Sequence, residues 1–182
     1  ALYDERTLLR ALGLRRIVLV LPWELVTVVL SACTKAIAVV ERRRTVQLFT
    51  EAGIATDAAA WLADVEKETL VALGRRSEAL TTELAAEVPR LAQQIVLSRG
   101  KSYEGKQSVG SRGLPLLAAD GRAVRARPRG SWVSGQFRWA LTESWVPGGL
   151  PELPVETSRV ELARRWLRAF GPAPISDLKW WT

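Results

Sequence analysis

Between Asp57 and Leu141 the apolar pattern changes period in one particular order, and that order restricts the fold more than any other feature of the chain. Behind Asp57, which suits an N-cap, Ala60, Trp61, Val65, Leu70 and Leu73 recur at helical spacing and stop at Gly74. Residues 77 to 80 read as one short strand. Thr81 opens a second helix with Glu83 in its first turn, where a carboxylate complements the helix dipole, and Pro89 ends it. Residues 90 to 98, with Leu91, Gln94, Ile95 and Leu97, read as a further helical segment, and 99 to 106 as a polar loop. Residues 107 to 119 place Val109, Gly113, Leu116 and Leu117 on one stripe, with Ser108, Ser111 and Arg112 outside it. Pro115 is expected to kink or shorten this helix. After the Asp120-Gly121 turn, Val124 alternates with Arg125 and Arg127, residues 128 to 135 turn, and Phe137, Trp139 and Leu141 alternate back. Helix, short strand, capped helix, helix, hairpin is the order of a winged helix.

Upstream, residues 4 to 12 read as a short helix ending at Gly13, through Leu8, Leu9 and Leu12. Residues 16 to 21 read as a strand, and Pro22 suits the first turn of a long helix reaching Glu51. On that helix Arg42-Arg43-Arg44 reads as a solvated turn or as a phosphate-contacting face. Downstream, residues 147 to 154 are rich in Gly and Pro, and a periodic helix follows through Val160, Leu162, Trp166, Leu167 and Phe170 to Gly171-Pro172. Trp61, Trp139 and Trp166 read as core anchors.

The net charge is concentrated. Residues 99 to 138 hold nine basic side chains against Glu104 and Asp120, which is the whole of the +7 balance. Charge gathered in one segment is the footprint of a surface for polyanions. Composition also removes whole classes of chemistry. There is no histidine and one cysteine, Cys33, so no Ser-His-Asp triad, Cys-His pair, HExxH helix, disulfide framework or Cys/His zinc site can be assembled. No metal, cofactor or catalytic residue is expected within these residues.

Nothing at the start resembles a signal peptide; the chain opens Ala-Leu-Tyr without methionine, as a fragment or processed chain would. The apolar stretch from 17 to 40 is interrupted by Pro22, Glu24 and Lys35, so a membrane role is not expected and the cytoplasm is.

The candidate DNA-binding residues are Arg99, Lys101 and Lys106 of the polar loop, Gln107, Ser108, Ser111 and Arg112 at the head of the following helix, and Arg122, Arg125, Arg127, Arg129, Ser131 and Trp132 of the hairpin. Small polar side chains permit close approach to a groove, and wing arginines suit the negative potential of the minor groove. The alternatives are an ordinary helix surface for residues 107 to 112 and a Trp132 folded back on the core.

Residues 164 to 172, Arg-Arg-Trp-Leu-Arg-Ala-Phe-Gly-Pro, continuing to Asp177-Leu178-Lys179-Trp180-Trp181-Thr182, resemble the signature of bacterial winged-helix DNA-binding proteins. That family includes DNA glycosylases that unhook interstrand crosslinks, of the azinomycin-resistance type. Gly13-Leu14-Arg15-Arg16 and Gly100-Lys101-Ser102-Tyr103 before Gln107-Ser108-Val109-Gly110 are similar to an actinobacterial branch. The resemblance implies a mainly α chain with small β-hairpins, built of tandem winged-helix units. Residues 1–52 would end a first unit and supply a connecting helix, 57–146 would be a complete winged helix, 147–156 a Pro/Gly linker, and 157–182 the start of a truncated further unit. It implies double-stranded DNA as partner. Independently of it, Trp166, Phe170, Trp180 and Trp181 are expected to pack on the middle winged helix or on another copy of the chain, as a homo-oligomer through the C-terminal segment. The family's glycosylases use a Gln-x-Gln or Gln-x-Asp motif lying N-terminal to the matched region; neither occurs here, and Gln93-Gln94 has the wrong spacing. Pro174 also stands where the signature usually has a helix-capping residue. DNA binding carries over and catalysis does not. The readings left open are a repair glycosylase, a non-catalytic or regulatory DNA-binding protein, and a protein-interaction domain with a basic face.

Overall fold

The computed structural model describes residues 1–97, 100–102, 104–131 and 134–181. It is mainly helical with small antiparallel sheets.

The first sheet corrects the sequence reading. Residues 8 to 12 are not helical but form strand β1 (Leu8–Leu12), paired antiparallel with β2 (Val18–Pro22), Leu8 opposite Pro22 and Leu12 opposite Val18. Leu9 and Ala11 alternate into the core, so period 2 wins over the i, i+3, i+4 spacing of Leu8, Leu9 and Leu12, which suits either state. A single helical run then spans Trp23–Glu51. It comprises α1 (Trp23–Val29), a π-helical turn (Leu30–Thr34) and α2 (Lys35–Glu51). Thr34 Oγ1 donates to the Leu12 carbonyl and so ties the π-turn to β1. By length and composition this run could cross a bilayer, yet half of its most apolar stretch is buried inside the protein.

Asp57 caps α3 (Ala58–Gly74), its Oδ1 accepting from the Ala59 and Ala60 amides at 3.1 and 2.9 Å. The short strand β3 (Ala79–Leu80) and helix α4 (Thr81–Glu87) follow as the sequence predicts. The helical expectation for residues 90 to 98 fails. A 3-10 turn (Pro89–Ala92) leads into β4 (Gln94–Leu97), which pairs with β5 (Gly105–Ser108) in a hairpin whose far end is the expected polar loop. Leu91 and Ile95 are both buried at helical spacing, so their pattern suits a helix as well; the β-branched Ile95-Val96 pair favours the strand.

Helix α5 (Val109–Ala119) therefore begins two residues later than expected, and it runs through Pro115 without ending. Strands β6 (Ala123–Pro128) and β7 (Phe137–Leu141) form the second hairpin, and β3 adds on the far side of β7 to give the order β3-β7-β6. A short helix α6 (Thr142–Trp145) precedes α7 (Val155–Phe170) and α8 (Ile175–Trp181).

Three apolar clusters hold these parts. Phe49, Leu62, Leu73, Leu84, Leu91, Ile95, Leu114 and Leu117 join α2, α3, α4 and α5. Leu9, Val26, Leu30, Val124 and Trp145 join β1 and α1 to β6 and α6. Val28, Val29, Cys33 and Leu162 join the long helix to α7. Burying a side chain of this size contributes roughly 1.5–3 kcal/mol.

Candidate nucleic-acid interface

Ser108 is not on the helix but is its N-cap: its Oγ accepts from the Ser111 amide at 3.3 Å, and Ser111 Oγ donates to the Ser108 carbonyl at 2.7 Å. Gln107 lies on β5 and accepts from Arg112 Nε at 2.7 Å, so these two side chains hold each other. The two hairpins meet the helix at this end. The β4–β5 hairpin runs directly into the first turn of α5, carrying exposed Lys106 on β5 and Lys101 near its far end. The β6–β7 hairpin returns its distal half to the same turn, leaving an open groove lined by Thr82 of α4, Ser111 of α5, and Arg125, Arg129, Gln136 and Phe137 of the hairpin.

Among the described residues no carboxylate lines this groove. Trp139, opposite Arg125 in the register, forms its floor and donates from Nε1 to Thr81 Oγ1 at 3.2 Å.

Along the hairpin, guanidinium groups and rings alternate. Arg125 sits over Phe137 and Trp139, 5.6 Å from each centroid. Arg10 of β1 approaches the other side, 5.0 Å from Phe137 and 5.6 Å from Tyr3. Arg127 lies 5.0 Å from Tyr3 and pairs with Asp4 at 2.7 Å. Each such stack contributes about 0.5–2 kcal/mol, more where water is excluded. The sequence places Arg125 on the hairpin, just before its tip. Arg125 is half-buried, and burial followed by the nearby Arg10 charge holds its pKa below the ordinary arginine value.

The predicted residues thus divide. Ser108, Ser111, Arg125 and Arg129 come together in the groove, with Gln107, Arg112 and Lys106 beside it. Ser131 is exposed at the hairpin turn. Arg122 stands at the opposite end of β6, in a depression with Lys67, and does not join them. Arg99 and Trp132 lie outside the described residues. Tyr3 and Arg10 escape a sequence reading, because nothing local relates them to a hairpin more than a hundred residues away; only the packing of β1 beside β6 brings them in.

Of the run at 42 to 44, Arg43 and Arg44 are exposed as a solvated turn would be, whereas half-buried Arg42 is held by carboxylates: Nη1 donates to Glu66 Oε1 and Oε2 at 2.8 and 2.9 Å, and Nη2 to Asp120. Burial pulls the Arg42 pKa down, and the two carboxylates more than reverse it, leaving it above the ordinary value.

The chain is related to the DNA glycosylases, since a family model described as DNA glycosylase AlkZ-like matches residues 1–182. The protein belongs to this AlkZ-like family. Membership relates it to DNA repair and makes DNA its partner class. No curated protein and no solved structure matches the chain.

Proposed function

We propose that residues 57–146 form a winged helix that grips double-stranded DNA within a cytoplasmic protein acting on alkylated or crosslinked DNA. In this reading α3, α4 and α5 are the three helices, α5 enters the major groove, and the β6–β7 hairpin is the wing. The sheet order β3-β7-β6 supports it, because a winged helix pairs its short first strand with the returning strand of the wing. The β4–β5 hairpin is then an insertion ahead of the recognition helix, carrying further basic side chains toward the duplex. Residues 1–52 and 157–182 belong to neighbouring units.

One observation carries the reading: the groove beside the first turn of α5 is lined by arginines, hydroxyls and an amide, and by no carboxylate among the described residues. Groups of this kind bind phosphates, which gives affinity with little sequence selectivity. Nothing within the chain supplies the family's glutamine motif, so the proposed contribution of these residues is grip and orientation, with catalysis elsewhere in the family's architecture.

The test is duplex binding over a salt series. Replacing the exposed Lys106, Arg127 and Arg129 together with Ala should weaken binding and flatten the slope of log K against log salt by about 0.9 for each phosphate that is no longer neutralised. A triple variant with the parent's affinity and slope would overturn the assignment of this surface.

A further inference from the structure

Arg42 and Arg125 are both half-buried, and their surroundings differ in one respect. Arg42 is compensated by Glu66 and Asp120. Arg125 has around it the rings of Phe137 and Trp139 and the like charge of Arg10, and among the described residues no carboxylate pairs with it. A guanidinium taken out of water beside a second positive charge is costly unless an anion joins it. Ring stacking offsets only part of that cost.

The space for such an anion is present. Arg125 and Arg129 line the groove, and the Thr82 and Ser108 hydroxyls and the Gln136 amide offer donors in it. Behind Arg125 a separate cavity under β1 is lined by Arg10, whose charge adds to that of Arg125 without lining the groove itself. Fork-shaped donors together with hydroxyls are suited to tetrahedral oxyanions.

We propose that this groove is a phosphate site with Arg125 as its buried charge, and that it seats one phosphodiester of a DNA backbone. The phosphodiester assignment rests on the DNA reading above. A free phosphate monoester has the same chemistry and is separated from it by the test.

The experiment compares the parent with Arg125→Met, which keeps an unbranched chain over the two rings and removes the charge. Thermal melts are run with inorganic phosphate against chloride at equal ionic strength, and duplex binding is titrated in parallel. At about ten times its Kd, phosphate should raise the parent's Tm by about 3–6 °C. In Arg125→Met that rise should vanish while the Tm without phosphate is unchanged or higher, and duplex affinity should fall about tenfold or more. A purely structural Arg125 gives the reverse, a lower Tm with the phosphate rise intact, and overturns the proposal. Arg125→Lys should restore part of the rise.

If Arg125→Met does not fold, Arg129→Gln, on an exposed side chain, must reduce the phosphate rise by itself, and a full rise there overturns the site. No phosphate effect on the parent also overturns it. A phosphate rise abolished in Arg125→Met with duplex affinity unchanged overturns the backbone assignment in favour of a free monoester. A rise abolished in the variant of a parent that binds no duplex supports the site and sinks the DNA reading instead.

Discussion

Glu83 does two things with one carboxylate: it accepts from the Leu80 amide at 2.8 Å at the head of α4, and from Arg138 Nη1 at 3.2 Å on β7. The amide bond first, and then the Arg138 charge, hold its pKa below the ordinary value. A depressed carboxyl stabilises the fold above its unfolded pKa and loses that contribution as pH falls through the folded one. Glu83→Gln should therefore cost about 1 kcal/mol at pH 7 and close to nothing in strong acid, read from urea midpoints at the two pH values. Buried Glu66 runs the other way, because burial raises its pKa despite Arg42. Removing the guanidinium raises it further, so Arg42→Ala should lose about 3 kcal/mol at neutral pH. The loss should shrink toward pH 4, where a protonated Glu66 no longer needs a partner. The same denaturation series checks both signs. The difference in legibility between the two residues is one of range. Glu83 bonds three residues back, and Asp57 two and three residues ahead, so both caps can be read from the sequence. Arg42 reaches partners 24 and 78 residues away, and beside Arg43 and Arg44 it looks like one of a solvated run.

Among the elements, α4 and α5 cross where there is no room for a side chain. A Cβ on Gly110 would lie 2.8 Å from Thr81 Cγ2 and 3.3 Å from the Leu91 carbonyl oxygen. Thr81 is itself fixed by the Trp139 indole, so it cannot turn aside without breaking that bond. Gly110→Ala is expected to cost about 1–3 kcal/mol, and to weaken duplex binding more than stability alone explains if the α4–α5 spacing sets the groove. Chemical denaturation and a salt-matched binding curve would separate the two effects, and a variant as stable as the parent would show that the crossing is not tight. The helices α3, α4 and α5 are legible because their stripes and caps are local. The β4–β5 hairpin is not, since β4 carries apolar residues that suit a helix equally and β5 is Gly-Lys-Gln-Ser, with no apolar alternation to mark a strand. The groove inherits that miss: with Gln107 on a strand and Ser108 as a cap, the face presented by α5 starts at Ser111.

Over the whole molecule, the long helix is the part against which everything else is placed: β1 and α6 on one side, α3 and α5 beyond its π-turn, and α7 along Val28, Val29 and Cys33. By sequence alone Trp166, Phe170, Trp180 and Trp181 are expected to act as one group, packed on the middle unit or on another copy of the chain. The structure divides it. Leu162 is buried on the long helix and Trp166 is buried on α7, whereas Phe170, Ile175 and Trp180 are 69%, 73% and 62% exposed. Arg15 lies over the Trp180 ring at 3.6 Å and fastens α8 to the β1–β2 turn without covering it. The two halves should therefore respond differently to the same substitution. Trp166→Ser removes a large buried ring, opens a cavity, and should cost about 3–5 kcal/mol with no effect specific to concentration. Phe170→Ser with Ile175→Ser removes only exposed apolar area, so stability should stay within about 0.5 kcal/mol. Exposed rings of this size favour association, and the pair of substitutions should reduce any self-association seen at high protein concentration. Thermal melts and sedimentation velocity on the same three proteins decide it. If Trp166→Ser melts like the parent, the buried Trp166 ring does not help to hold α7 in place; if the double variant sediments like a self-associating parent, the exposed face of α7 and α8 is not where copies of this chain meet.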